Sequence, residues 1–164
     1  MPLTDVDLFA RLDALGIRTR TVRHPPVFTV LDAKAHRDDL PGAHTKNLFL
    51  KDKKGVLWLI VADEDRPLDL KRLGRQIGSA ALSFGRPDLL EKVLGVQPGS
   101  VTPFAAANDT EGLVRLVIDA ALLTADALHV HPLVNSATTA IAPADLIRFL
   151  TNTGHEPLIV DLDG

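Results

Sequence analysis

Seven consecutive apolar residues, Val56-Leu57-Trp58-Leu59-Ile60-Val61-Ala62, leave the centre of this chain little choice of structure. The run is far short of the roughly 20 residues needed to cross a bilayer, and it has the length of a strand buried in the interior. Just before it, Thr45 to Lys51 reads as a second strand. Asp52-Lys53-Lys54-Gly55 lies between them as a glycine-containing turn, so the pair is predicted to be a hairpin. With 164 residues, of which 46% are hydrophobic and 24% charged, the chain can build one domain around a real core.

The remaining elements follow from periodicity and punctuation. Thr4 with Asp7 forms an approximate capping box ahead of Val6, Phe9, Leu12 and Leu15, and Gly16 stops that helix. Arg18 to His24 alternates as an edge strand ended by Pro25-Pro26, and Thr29 to His36 reads as a second helix. Further helices are expected over Pro67–Ile77, Pro87–Leu94 and Ala144–Asn152. Strands are expected over Ala81–Phe84, Leu113–Asp119, Ala127–His131 and Leu158–Leu162. Helices and strands interleave without strict alternation, which predicts a mixed α+β domain with a mixed sheet rather than a doubly wound one.

Composition excludes several classes. There is no cysteine, so a disulfide framework, a thiolate nucleophile and a cysteine-bound zinc are all removed. The formal net charge of −3 rules out bulk electrostatic coating of nucleic acid, so no DNA partner is expected and any RNA contact must be local. Basic residues cluster at Lys51, Lys53 and Lys54 and at Lys71, Arg72 and Arg75, with Asp63, Glu64, Asp65 and Asp69 between them; by charge alone this is a solvated mixed surface. The first residues carry no secretory pattern, and a cytosolic location with no membrane partner is expected.

Three segments can carry chemistry. Lys46 shares a strand face with Leu48 and Leu50, so its ammonium is expected to open onto a partly enclosed space, as a cation for a phosphate, a carbonyl oxygen or an oxyanion. The bland alternative is a strand-end lysine whose head reaches solvent. The second segment, Leu94 to Pro103, holds two glycines and two prolines in ten residues. Its amides from Gly99 through Ser100 and Val101 to Thr102 could hold an ester oxygen; otherwise it is a rigid connection. The third is His129-Val130-His131-Pro132, followed by Asn135. The histidine spacing suits a metal, but no third ligand or acidic residue completes a set, so no metal or other cofactor is expected. The plainer alternative is one histidine hydrogen-bonded at a strand end and one exposed. Ser83 and Ser100 sit in no nucleophile-elbow context.

Taken together, His24 to Thr29, Leu40 to Leu50, Leu82-Ser83-Phe84, Gly95 to Pro103 and His131 to Thr138 resemble the YbaK/prolyl-tRNA synthetase-associated family of aminoacyl-tRNA deacylases, across almost the whole chain. The Lys46-Asn47 motif and the Gly99–Pro103 loop look most like its free-standing branch acting on alanyl-tRNA(Pro). The resemblance implies a single editing domain with a curved mixed sheet wrapped by helices. It implies Lys46 as the active-site lysine, Gly99 to Pro103 as the substrate loop and His131 in the aminoacyl pocket. One departure is Ala81, where relatives often carry a basic residue.

On that resemblance the reaction is hydrolysis of the ester between alanine and the terminal ribose of tRNA(Pro). Gly99 amides hold the carbonyl, Lys46 neutralises charge, and Asn47 and His131 orient the aminoacyl group and water. Val27, Phe28 and Leu31 are expected to form a tight pocket wall. The expected partners are the acceptor end of aminoacyl-tRNA(Pro) and prolyl-tRNA synthetase. Two alternatives stay open: a deacylase for cysteinyl- or seryl-tRNA, and a non-catalytic tRNA-binding module.

Overall fold

The computed structural model describes residues 2–25 and 42–163. The hairpin is its centre. Strand β2 (Ala43–Asp52) runs antiparallel to β3 (Leu57–Asp63), from Thr45 opposite Asp63 to Lys51 opposite Leu57. The turn is closed by Asp52, which is only 5% exposed. Its carboxylate accepts from the amides of Lys54 (2.9 Å) and Val56 (3.0 Å) and from the Trp58 indole (3.2 Å). Burial works against that charge, yet these donors together with the Ala80 backbone outweigh it and hold the group below the ordinary carboxylate range.

The apolar run is explained by what lies on each side of β3. Leu57, Leu59 and Val61 enter one core, while Trp58, Ile60 and Ala62 enter a second on the opposite face. A strand covered on both faces needs no polar residue, which is why the alternation usual for a half-buried strand is missing. The first core is covered by α1 (Asp5–Ala14), α3 (Pro87–Leu94), α4 (Pro143–Asn152) and the 3-10 turn Pro103–Asn108. Within it Phe104 and Phe149 meet edge to face at 5.4 Å. The second core is covered by α2 (Leu70–Ile77) through Leu73 and Ile77, with Leu162.

The sheet is mixed, as expected. Its other strands are β1 (Arg20–Arg23), β4 (Leu82–Phe84), β5 (Val114–Asp119), β6 (Leu128–Val130), β7 (Ala137–Ile141) and β8 (Leu158–Val160). The order is β1-β7-β6-β2-β3-β5-β8, with β4 also on β2. The pairs β3–β5, β5–β8 and β2–β6 are parallel, and the others antiparallel.

Several expectations shift. The capping box at Thr4 forms in both directions, with Asp7 N–H donating to Thr4 Oγ1 (3.1 Å) and Thr4 N–H to the Asp7 carboxylate (3.0 Å). Helix α2 begins at Leu70 instead of Pro67, because Asp69 caps it by accepting from Lys71 N–H at 3.0 Å. Strand β7 was not anticipated: Ala137-Thr138-Thr139-Ala140-Ile141 is short and half polar, and it becomes a strand by lying between β6 and edge strand β1. The helix expected over Thr29–His36 lies outside the described residues.

Asp52→Ala would strand a buried indole N–H and two turn amides. The expected cost is on the order of 2 kcal/mol, read as a lower melting temperature at neutral pH. Because the folded carboxyl is depressed, its contribution is present above the unfolded carboxylate range and is lost as pH falls through the folded value. The gap between variant and wild type should therefore narrow in acid.

Candidate functional site

The site is set by how β2 is paired. On one edge β3 covers it from Thr45 to Lys51. On the other, β6 pairs only with Ala43 and His44, and β4 only with Leu50, Lys51 and Asp52. Between those two, no described strand pairs with Thr45–Phe49. The sheet is notched there. Gly85 fixes the lower lip: its N–H donates to the Phe49 carbonyl at 2.9 Å, and a Cβ at that position would overlap the Phe49 ring.

Two hollows open at the notch, and Asn47 lines both. The larger, about 230 Å³, is bounded by Leu48, Phe49, Phe84, Pro98 and Val101 among others. The smaller, about 40 Å³, is bounded by His44, Thr45, Glu64, His129, His131 and Thr138. The strand positions Asn47 on the same face as Phe49, and its amide nitrogen donates to Thr45 Oγ1 at a long 3.4 Å. Its Oδ1 is buried and accepts no hydrogen bond from any described group. A buried acceptor left over at the wall of two hollows is what a ligand donor would satisfy.

Lys46 lies on the face of Leu48 and Leu50, as its spacing predicts. It lines neither hollow. Its Nζ donates to the Arg66 carbonyl. Burial pushes the ammonium below the ordinary lysine range, Asp63 and Asp65 pull it back up, and Arg66 adds to the depression. Arg66 is itself clamped, its guanidinium donating to the buried Asp119 and to Asp163. Those partners, Asp163 first, raise its proton affinity against the cost of burial.

The histidines behave differently from the expectation of one bonded and one exposed. Strand β6 ends at Val130, and neither His129 nor His131 is exposed. His129 is 4% exposed and stacks on His44 with centroids 4.3 Å apart. His131 Nδ1 lies 3.0 Å from the Ala137 carbonyl, and its ring faces that of His24 at 6.5 Å. Burial first, and His24 second, push His131 below the ordinary histidine range, against the Ala137 hydrogen bond, so it is neutral at pH 7. His24 in turn meets Thr138 Oγ1 at 2.7 Å. This His24–Thr138 contact was not read from the sequence. The signal was the Thr138-Thr139 pair opposite Thr21-Val22, which registers β1 on β7. Among the described residues no three His, Asp or Glu side chains are arranged to hold a metal ion.

The glycine loop contributes mainly backbone. Gly99 does not have positive φ, so its conformation does not require glycine. Ser100 is buried and its N–H is taken by the Gln97 carbonyl at 2.9 Å. Val101 reaches the larger hollow. Thr102 is fully buried and caps the next turn, accepting from Phe104 N–H at 3.4 Å. Asn135 sits in the turn after His131, in which Leu133 has φ 69° and is held by its burial in the first core. Val27, Phe28 and Leu31 lie outside the described residues.

Fold and site together define a mixed α/β domain with two hollows at a notch in the edge of its central strand. The description "Aminoacyl-tRNA editing domain" matches residues 24–149. The chain is 45% identical over 154 residues to a prolyl-tRNA synthetase associated domain-containing protein of Danio rerio, covering 93% of this chain and 84% of that one. It is 36% identical over 156 residues to the prolyl-tRNA editing protein ProX of Acetoanaerobium sticklandii, covering 94% and 95%. The fold matches a solved structure described as a candidate trans-editing enzyme for prolyl-tRNA synthetase, with a TM-score of 0.69 at 19% identity over 98% of this chain and 99% of that one. This chain belongs to the aminoacyl-tRNA editing domain family.

Asn47→Ala should separate function from stability. The fold loses only the long contact to Thr45, so the melting temperature should stay within about 2 °C of wild type. A ligand that uses Oδ1 would lose a hydrogen bond worth about 1–2 kcal/mol, or roughly five- to thirtyfold in kcat/KM on aminoacyl-tRNA.

Proposed function

We propose that the chain is a trans-editing deacylase that hydrolyses the ester of alanyl-tRNA(Pro), with the notch in β2 as its active site. The observation that carries this reading is Asn47 standing between two hollows of unequal size, within a family defined by aminoacyl-tRNA editing. The larger hollow takes the terminal nucleoside and the smaller takes the amino acid. At about 40 Å³ the second hollow is much the smaller of the two. It suits a methyl group and is tight for a pyrrolidine ring.

An ester needs a placed water and a stabilised tetrahedral oxyanion more than it needs a strong nucleophile. Asn47 Oδ1 accepts from the substrate's amino or hydroxyl group. Neutral His131, with Nδ1 engaged at Ala137, leaves Nε2 to orient the water. The amides of Gly99 and Val101 are the loop's donors for the carbonyl oxygen. Lys46 swings on its flexible stem from the Arg66 carbonyl to the terminal phosphate or the developing charge. The hydrolysis takes place in the cytosol, on product released by prolyl-tRNA synthetase. Because a synthetase pocket that fits proline cannot strongly reject something smaller, a second and smaller site supplies the missing discrimination. The polar lining of that site also favours seryl-tRNA(Pro) as a secondary substrate.

The test is deacylation of alanyl-, seryl-, cysteinyl- and prolyl-tRNA(Pro) by the wild type and by Lys46→Ala. Alanyl-tRNA should be cleared fastest, seryl-tRNA more slowly, and prolyl-tRNA slower than alanyl-tRNA by up to about a hundredfold. Lys46→Ala should lose nearly all turnover with an unchanged circular dichroism spectrum. Equal rates on alanyl- and prolyl-tRNA, or full activity in Lys46→Ala, would contradict the proposal.

A further inference from the structure

Phe84 is 63% exposed, although it stands at the end of a strand and borders the larger hollow. A single exposed apolar side chain is ordinary, and what sets Phe84 apart is its place at the mouth of a cavity that Asn47 also lines. Its position is built: β4 pairs Phe84 with Leu50, and the next residue, Gly85, is bonded to the Phe49 carbonyl and pressed against its ring. Two exposed cations are close to it in the pairing and along the chain. Lys51 is exposed opposite Ser83, and Arg86 is exposed two residues beyond Phe84, where it makes a surface contact of 3.5 Å to Asp88. A planar ring with basic side chains close by is the combination that single-stranded nucleic acid requires, the ring for a base and the cations for phosphates.

The geometry points to Phe84 as the stacking platform for the last unpaired nucleobase of an RNA 3′ end, with Lys51 and Arg86 taking the adjoining phosphates. The spacing agrees. From Leu50, the partner of Phe84, to Asn47 is three residues of β2, or about 10 Å at the rise of a strand. One aminoacylated nucleotide bridges such a length, placing its base on Phe84 and its ester at Asn47. This inference rests on the deacylase reading for what the RNA carries, and on the exposure of Phe84 for the contact itself. It also supplies a local RNA contact on a chain whose net charge is negative, and it lies beside Ala81, where no basic side chain helps.

The experiment is binding of an uncharged, fluorescently labelled RNA hairpin with a short unpaired 3′ tail, followed by anisotropy. Phe84→Ala and Phe84→Leu should weaken binding roughly five- to a hundredfold, the effect of losing one base–aromatic stack, while Phe84→Trp should bind at least as well as wild type. Lys51→Ala and Arg86→Ala should each weaken binding and lower the salt dependence by about one charge. Wild-type affinity in Phe84→Leu, or equal wild-type affinity for a blunt hairpin lacking the tail, would overturn the inference. The two readings fail separately. Aminoacyl-tRNA hydrolysis with unchanged RNA affinity in Phe84→Leu removes the platform and keeps the deacylase. Tail-dependent binding that Phe84→Leu abolishes, with no hydrolysis of any aminoacyl-tRNA, does the reverse. Because Phe84 is mostly in water, circular dichroism of all three variants should match the wild type, and the Leu–Trp comparison holds even if Ala does not fold.

Discussion

The outer edge of β2 is shared unequally between two short strands, and the rest of the site follows from the gap. β6 holds only Ala43 and His44, and β4 holds only Leu50 to Asp52. A strand can present its backbone edge to a ligand only where no neighbouring strand pairs with it. The buried hairpin partner β3 makes that safe, since its seven-residue register fixes β2 from the other side. With β3 packed between two cores, the notch has a rigid back wall that costs little to keep open.

The two faces of β2 are given different chemistry. One face carries Asn47, with an unfilled buried acceptor at the wall of both hollows. The other carries Lys46, whose charge is weakened by burial and restrained by Asp63 and Asp65. The carbonyl that receives Lys46 belongs to Arg66, which Asp119 and Asp163 hold in place. A lysine held this way is an ammonium of reduced hydration on the face of β2 opposite Asn47.

Much of this was legible because short-range rules and burial agreed. The hairpin, the Thr4 capping box, the face shared by Lys46, Leu48 and Leu50, and the mixed sheet all come from patterns within about ten residues. What was not legible depends on long-range register. Strand β7 has weak intrinsic character and exists through β1 and β6, so the approach of His24 to Thr138 and His131 could not be read from either segment alone. The stack of His44 on His129 likewise needs the parallel pairing of β2 with β6, across more than eighty residues. Thr102 shows the opposite difficulty: it lies in a segment selected for binding, but its side chain is spent on a buried cap.

A second polar network, the buried pair of His155 Nε2 and Asp109 at 2.8 Å with Thr153 behind it, ties α4 to the start of β5 and lines neither hollow. The most direct measurement is an amide chemical-shift titration with a non-hydrolysable alanyl-adenosine amide. The expected result is perturbation centred on Asn47, Val101 and His131. Shifts centred instead on the groove formed by Leu3, Arg11 and Lys92, with the notch unmoved, would contradict the assignment of the site.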